Sequence, residues 1–220
     1  GRRPSTSELW SGRDTRINAG GRIGDAGLGV RLLLSADADE AAAIAAQLDQ
    51  LNRDRQEIEA AIVAEAMAMV EADQSAEGRA ITLVHSEDDW HPGVVGLVAA
   101  RLKERFAKPA IAIAIGAGGF GTGSARSISG VDIGAAVRAA VDEGLAVKGG
   151  GHAMAAGLTV ARDRLDELTA FLDARLASSV AAIDASRMEI DALLTAGGAT
   201  LEVVKALEAA GPFGSGNPQP

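Results

Sequence analysis

The chain has 220 residues, 47% of them hydrophobic, which is enough apolar material for one large domain or two small ones. Its formal net charge of −9 provides no overall positive field to attract nucleic acid, so any nucleic-acid site must be local. The absence of cysteine excludes disulfides, thiol nucleophiles and cysteine-ligated zinc, and it is typical of a reducing cytoplasm.

The first part of the chain is dominated by one long predicted helix. Residues 1–16 are polar without a clear period and predict a loop, the glycine-rich stretch 17–25 predicts irregular structure, and the apolar run 28–34 predicts one or two helical turns. Asp37 and Glu40 then form a capping-box-like start, after which apolar residues recur at intervals of three, four or seven. A helix of about 35 residues would reach about 50 Å, so we interpret it as a connector between two lobes.

The pattern after position 78 changes to alternating strands and helices, which predicts an α/β lobe. The predicted elements are a strand at 80–84, a helix at 94–106, strands at 111–115 and 120–128, a helix at 133–141, a strand at 158–160 and a helix at 163–177. A short strand after position 188 and a helix at 200–209 follow, before a Gly/Pro-rich tail that cannot continue a helix.

Segment 148–157 is a candidate anion site because three consecutive glycines precede His152. Such a backbone can turn several amides the same way as a nest for an anion, and an imidazole can donate to phosphate or to water. The alternative is a tight turn before a strand, with a histidine that is satisfied within the fold.

Two further segments place arginine among small residues. In segment 121–127, Ser124 and Ser127 flank Arg126, whose guanidinium can bind phosphate through two parallel hydrogen bonds. Arg22 follows a pair of glycines before a predicted helix, and helix N-termini attract anions. Solvated surface arginines beside glycine-rich backbone are the alternative explanation for both.

The sequence lacks the familiar hydrolytic motifs. It has no Walker A sequence, no nucleophile elbow and no His-Glu-x-x-His helix, and its 3 histidines form no Asp–His cluster for a two-metal site. Where a strand gives way to a helix, Trp90 and His91 are expected to pack and to cap that helix. The residues therefore predict binding rather than cutting.

Five stretches, taken together and in this order, resemble the RecJ exonuclease family of the DHH phosphoesterase superfamily: INAGGRIGDAGLG, AAQLDQLNRDRQEIE, WHPGVVGLVAARLKERFAKPAIAIA, GSARSISG and GGHAMAAGL. The resemblance covers nearly the whole chain, and the tail PFGSGNPQP is similar to the segment that leads into the family's oligonucleotide-binding barrel. It implies a DHH-domain remnant at 1–35, a connector helix at 36–75, a mixed-sheet DHH-associated domain at 76–182 and the start of a linker at 183–220.

The resemblance implies part of a 5′-to-3′ single-stranded DNA exonuclease that hydrolyses phosphodiesters. Mn²⁺ or Mg²⁺ would be held by the upstream domain, so this fragment alone would be inactive. The 5′ phosphate would lie at the Ser-Ala-Arg-Ser motif and the scissile phosphate at the Gly-Gly-His motif. The implied catalytic residue is His152, and the implied substrate-binding residues are Arg22, Ser124, Arg126, Ser127, Gly150 and Gly151.

The same resemblance implies a monomer in the cytoplasm, with roles in DNA repair and recombination and with single-strand-binding protein and a helicase as partners. No run of about 18 apolar residues suggests a membrane span. Two alternatives stay open: a DHH-family phosphodiesterase of short oligonucleotides or cyclic dinucleotides, and a non-catalytic nucleic-acid-binding module like that of alanyl-tRNA synthetases. The connector helix and the barrel-like tail favour RecJ over the first, and the WHPGVVG and INAGGR stretches favour it over the second.

Overall fold

A computed structural model describes residues 14–76, 78–86, 90–183, 192–211 and 213. The chain divides into two compact units, one formed by Arg16–Ala185 and the other by 1–15 and 186–220. In the second unit the described residues contain helix Leu201–Ala209, which confirms the helix predicted at 200–209. The predicted strand after position 188 and the Gly/Pro-rich tail lie outside the described residues.

The helices at the start of the larger unit are α1 (Asp14–Ile23), α2 (Gly27–Leu34) and α3 (Ala38–Ala72). Helix α3 begins after Asp37, whose carboxylate accepts hydrogen bonds from the backbone amides of Asp39 and Glu40. The predicted long helix and the predicted turns at 28–34 are thereby confirmed.

Replacing Asp37 with alanine is expected to lower the free energy of unfolding by about 1 kcal/mol, because two amides of the first helical turn would lose their acceptor. The Asp37→Asn variant keeps an acceptor oxygen and serves as the matched control. Chemical denaturation of both variants measures the difference, and an equal loss in both would contradict the capping role.

Helix α1 was not expected from the sequence. The prediction of a loop up to position 16 is wrong for its described part, and the prediction of irregular structure at 17–25 is wrong, because residues 14–23 are helical. Glycine disfavours helix by about 1 kcal/mol per residue relative to alanine. Here Gly20 and Ala19 are buried, and a Cβ on Gly20 would lie 3.2 Å from Leu48 of α3, so close packing of two helices outweighs propensity.

A five-stranded mixed sheet, in the order β1-β2-β3-β5-β4, forms the centre of the larger unit. Strands β1 and β2 are parallel and are connected through α4. All other neighbouring strands are antiparallel. The strands and this helix are β1 (Thr82–Ser86), α4 (Val95–Phe106), β2 (Ala110–Ile115), β3 (Phe120–Arg126), β4 (Lys148–His152) and β5 (Ala155–Ala161). The predicted α/β class, with a long helix followed by a mixed sheet, is confirmed.

The glycine-rich segment 148–157 differs from its prediction as an anion-binding nest. It forms β4, a short turn and the start of β5, so that the predicted strand at 158–160 begins earlier, at Ala155. Successive residues of a strand face opposite ways, so the amides of β4 do not converge as those of a nest do. The nest prediction is therefore wrong, and the glycines serve a flat strand instead.

Helices cover the two faces of the sheet unequally. On one face α5 (Ile133–Asp142) and α6 (Leu165–Ala181) enclose the larger core. On the other face α3 and α4 enclose a second core over β1 and β2. No helix in the described part of the chain is both long and apolar enough to cross a membrane.

The side of β3, β5 and β4 that points the same way as the α4 side is called the open face here. Lys148, His152 and Gly157 on it are exposed, so no helix of the described residues covers this face at β4 and β5, whereas α4 packs over its Arg126 and Ser124 on β3. Residues paired across neighbouring strands point to the same face. The open face consists of the rows Arg126–Ala155–His152, Ser124–Gly157–Gly150, Thr122–Thr159–Lys148 and Phe120–Ala161.

Candidate functional site

The turn that leads into α4 is held by two aromatic side chains. Trp90 is 5% exposed, and its indole nitrogen donates to the Glu65 carboxylate of α3 at 3.0 Å. The Nδ1 atom of His91 accepts from the backbone amide of Gly93 at 3.0 Å. The packing role predicted for Trp90 is confirmed. The helix cap predicted for His91 is wrong, because its ring accepts from an amide of the preceding turn and the N-cap residue Val94 has no side-chain hydrogen bond.

Arg22, at the end of α1, meets the same turn. Its Nη1 atom donates to the carbonyl oxygen of Gly93 at 3.2 Å. A Cβ on Gly93 would lie 1.9 Å from the carbonyl oxygen of Arg22, a separation that no side chain tolerates. Glycine is thus required where the two backbones meet, and this contact places the Arg22 guanidinium beside the start of α4.

Arg126 and Ser124, from β3, lie over the first turn of α4. Nη1 of Arg126 donates to Oγ of Ser124 at 2.9 Å and to the carbonyl oxygen of Ala125 at 2.8 Å. A Cβ on Gly96 would lie 2.9 Å from Nη2 of Arg126 and 3.1 Å from Oγ of Ser124. Gly96 therefore leaves the space that these side chains occupy next to a helix N-terminus, where free amides favour negative charge.

The two guanidinium groups are close enough to influence each other. Partial burial lowers the pKa of Arg126, and the positive charge of Arg22 lowers it further. Among the residues that the structure describes, neither arginine forms a salt bridge with a carboxylate. Two cations, a hydroxyl and a helix N-terminus without a side-chain cap suit an oxyanion such as phosphate.

Ser127 takes a different position from the one expected of a phosphate ligand. Its side chain is 1% exposed, and its hydroxyl donates to the carbonyl oxygen of Val131 at 2.7 Å. Its backbone amide donates to the carbonyl oxygen of Met154 at 3.0 Å. Ser127 therefore turns into the fold and fixes the end of β3, while Ser124 is the serine that lies beside Arg126.

The hairpin of β4 and β5 presents His152 at its tip. The side chain is exposed, and its Nδ1 atom accepts from the backbone amide of Met154 at 3.4 Å. The carbonyl oxygen of the preceding Gly151 accepts from Arg138 of α5 at 2.7 Å. This hydrogen bond ties the hairpin to the helix beneath it, so the strand that carries the histidine is anchored on its other face.

The strand register brings Arg126 and His152 to one face. Arg126 is paired with Ala155, and Ala155 is paired with His152, so all three point the same way. Two strand spacings separate the arginine and histidine backbones by roughly 10 Å. Residues predicted from separate segments therefore share one surface, and Arg22 joins them through the start of α4.

Gly93 and Gly96 carry no chemical group and are therefore not indicated by a sequence pattern of functional side chains. The available signal was the pair of glycines in WHPGVVG, at the start of a helix where glycine has no favourable propensity. In the described ranges, no three His, Asp or Glu side chains come together as a possible metal site. The site can thus bind and orient an anion through arginine, hydroxyl, amide and imidazole groups.

Comparison with known proteins gives a consistent result. A family model described as the DHHA1 domain matches residues 77–178. The single-stranded-DNA-specific exonuclease RecJ of Dickeya dadantii is 40% identical over 97% of this chain, and that of Escherichia coli is 37% identical over 98%. The chain spans 38% of the length of each of these relatives.

Solved structures also resemble the chain over its whole length. The crystal structure of RecJ from Thermus thermophilus in complex with Mg²⁺ matches with a TM-score of 0.82 and 31% identity, covering 100% of this chain and 33% of that one. The structure of the same protein in complex with Mn²⁺ matches with an equal TM-score of 0.82.

Proposed function

The chain belongs to the RecJ family, and from this premise we propose that it is the DNA-binding portion of a 5′-to-3′ exonuclease specific for single-stranded DNA. In this proposal residues 1–35 end the catalytic domain, 36–75 connect the lobes, 76–182 form the substrate-binding domain and 183–220 begin a linker. The match of the DHHA1 domain to residues 77–178 supports the range 76–182 for the substrate-binding domain.

The observation that carries the proposal is the placement of Arg22, Ser124 and Arg126 at the start of α4, with His152 in the same row of the sheet. We assign the 5′-terminal phosphate of the DNA to the arginine and serine cluster. The scissile phosphodiester then lies near His152. The separation of roughly 10 Å between the two backbones is short enough for one strand to reach both positions.

We assign His152 the role of a hydrogen-bond donor to the scissile phosphate or to its attacking water. Its Nδ1 atom already accepts from the amide of Met154, so a neutral imidazole carries its proton on Nε2. Gly150 contributes by having no side chain on the open face, where backbone and phosphate can approach closely. Gly151 contributes through the anchor that its carbonyl oxygen forms with Arg138.

The proposal places divalent metal ions outside this chain. The similar RecJ crystal structures are complexes with Mg²⁺ or Mn²⁺. The described residues of this chain do not fit that role, because no cluster of three metal-binding side chains exists among them. We therefore assign the hydrolytic step to the portion of the relatives that this chain does not span.

We extend the proposal, on the resemblance alone, to a monomeric cytoplasmic protein of DNA repair and recombination. Single-stranded DNA is its substrate, and single-strand-binding protein and a helicase are proposed partners.

The test compares the purified chain with the complete protein that contains it, each with Mn²⁺ and with 5′-phosphorylated single strands, duplex DNA, very short oligonucleotides or cyclic dinucleotides. The complete protein is expected to degrade single strands from the 5′ end. The chain alone is expected to bind single strands without degrading them. Degradation by the chain alone would contradict the proposal.

The same panel separates the alternatives. A complete protein that prefers cyclic dinucleotides or very short oligonucleotides would be a DHH-family phosphodiesterase of those small substrates. A complete protein that binds nucleic acid without hydrolysing any of these substrates would be a binding module. Either result would replace the exonuclease assignment.

A further inference from the structure

Two glycines on the open face are not explained by packing against any residue that the structure describes. A Cβ on Gly150 would meet no atom within 4 Å, and a Cβ on Gly157 would meet only the carbonyl oxygen of Gly123 at 3.9 Å. Their neighbours differ, since a Cβ on Gly149 would lie 2.7 Å from Val137 and one on Gly151 would lie 2.2 Å from the Ala155 carbonyl oxygen. Gly150 and Gly157 thus form a flat floor on the open face, and no contact with the described residues requires either of them to lack a side chain.

This flat floor is continuous with the candidate phosphate site. Gly150 is paired with Gly157, and Gly157 is paired with Ser124, so the three residues form the row next to Arg126 and His152. Rows on one face of a sheet follow each other every two residues, or about 6.8 Å. A ligand that is held at Arg126 can therefore continue along the strands over the two glycines.

The charge of the open face is opposite to the charge of the chain. The chain has 30 acidic residues against 21 lysines and arginines. None of the acidic residues lies in the rows of the open face, whose titratable side chains are Arg126, His152 and Lys148. Basic groups around an uncharged floor attract a polyanion and leave room for its sugar and base groups.

An aromatic ring lies at the far end of this surface. Phe120 is 55% exposed, at the first position of β3, and Lys148 lies one row closer to Arg126. A single exposed phenylalanine is ordinary on a protein surface. Here the ring shares its face with a lysine, a glycine floor and a phosphate site, and aromatic rings beside basic groups are how proteins bind single strands without sequence preference.

We propose that single-stranded DNA continues from the Arg126–His152 row along β3 and β5, with a backbone phosphate at Lys148 and a base stacked on Phe120. This inference rests on the proposed function, whose 5′ phosphate site sets the starting point of the strand. Three rows separate Phe120 from Arg126, or roughly 20 Å, which equals about six nucleotides at the stacked spacing of 3.4 Å and fewer when the strand is extended.

The test uses the complete protein without divalent ions, so that bound DNA is not hydrolysed, and measures its affinity for 5′-phosphorylated oligonucleotides from a dinucleotide to an octanucleotide. Phe120→Ala is expected to weaken octanucleotide binding roughly 5- to 150-fold, because one stacked base is lost. The dinucleotide does not reach Phe120, so the loss is expected to be confined to the longer strands.

Substitutions at the same position separate stacking from simple apolar contact. Phe120→Trp is expected to retain octanucleotide affinity, and Phe120→Leu is expected to lose it as alanine does. Thermal denaturation of each variant shows whether it is folded. Wild-type affinity in Phe120→Ala or in Phe120→Leu, or an equal loss for the dinucleotide, would overturn the stacking assignment.

Lys148 has its own measurement. Lys148→Ala is expected to reduce the slope of log affinity against log salt concentration by about 0.7, the value for one phosphate contact on a single strand. Arg175→Ala removes an exposed charge from α6, on the opposite face, and is expected to leave the slope unchanged. An unchanged slope in Lys148→Ala would remove the phosphate contact from the proposal.

Failure of this inference can be distinguished from failure of the proposed function. Arg126→Ala is expected to weaken both the dinucleotide and the octanucleotide, whereas Phe120→Ala weakens only the longer strand. Normal dinucleotide affinity in Arg126→Ala would contradict the phosphate site itself. A normal octanucleotide result for Phe120→Ala, with a loss in Arg126→Ala, would contradict only the extended path.

Discussion

Replacing Arg126 with alanine is expected to weaken binding of 5′-phosphorylated single-stranded DNA by roughly 10- to 150-fold, because a hydrogen bond to a charged group contributes about 1.5–3 kcal/mol. The guanidinium lies over Gly96 at the start of α4, next to Ser124 and close to Arg22. Its removal leaves one arginine for the same phosphate. Fluorescence-based titration of the complete protein without divalent ions measures the change.

The 5′-hydroxyl form of the same oligonucleotide is the matched ligand control, since it lacks the group that Arg126 is assigned to bind. Arg126→Lys keeps a charge but not the planar donor pair, and it is expected to recover part of the loss. An equal loss of affinity for phosphorylated and unphosphorylated strands would refute the assignment.

The same variant is not expected to destabilise the fold through its charge. Burial and Arg22 lower the pKa of Arg126, so folding disfavours its protonated form. A basic group whose pKa is lowered on folding reduces the free energy of unfolding while it is charged. This cost disappears when the group is neutral, at pH values far above the physiological range, or when the group is removed. A loss of binding without a charge-dependent loss of unfolding free energy is therefore the pattern expected of a functional arginine.

Two adjacent glycines of β4 are expected to differ strongly in how alanine affects the free energy of unfolding. Gly151→Ala is expected to lower the free energy of unfolding by about 3 kcal/mol, the upper range for overpacking, because its Cβ would meet backbone rather than a movable side chain. That Cβ would lie 2.2 Å from the carbonyl oxygen of Ala155. Urea denaturation measures the loss, and the slope of the transition shows whether the unfolding stays two-state.

Gly150→Ala is the matched control for this prediction. Its Cβ would meet no atom within 4 Å, so the free energy of unfolding is expected to change by less than about 0.5 kcal/mol. Equal losses in the two variants would mean that alanine harms β4 for a reason other than its contacts. Because Gly150 lies on the open face, the variant is expected to bind DNA more weakly while it remains stable.

Local signals were enough to predict much of the fold. The cap at Asp37 and the apolar period located α3 within one residue, since both depend on neighbours along the chain. Helix α1 was missed because Gly20 lies in a close approach to Leu48, which is far away in sequence. Strand β4 was missed because three glycines have low strand propensity, and its pairing with β5 overrides that preference.

For the candidate site, the sequence indicates the residues but not their arrangement. Arg22, Arg126 and His152 could be singled out by residue type, because each lies among small residues in a recognisable motif. Their shared face depends on the pairing of three strands, which a single sequence does not specify. The inward turn of Ser127 depends on one hydrogen bond to Val131, and no composition or spacing indicates that choice.

Two neighbouring cations without an acidic partner in the described chain have a thermodynamic consequence. Arg22 comes from α1 and Arg126 from β3, so the repulsion between them works against holding α1 close to the sheet. An anion that binds both guanidinium groups would cancel this repulsion and stabilise the contact between α1 and the sheet. Ligand at a hundred times its dissociation constant would then add about 2.7 kcal/mol to the stability of the folded state. Bound substrate would thus stabilise the arrangement of α1 and β3 that forms its own binding site.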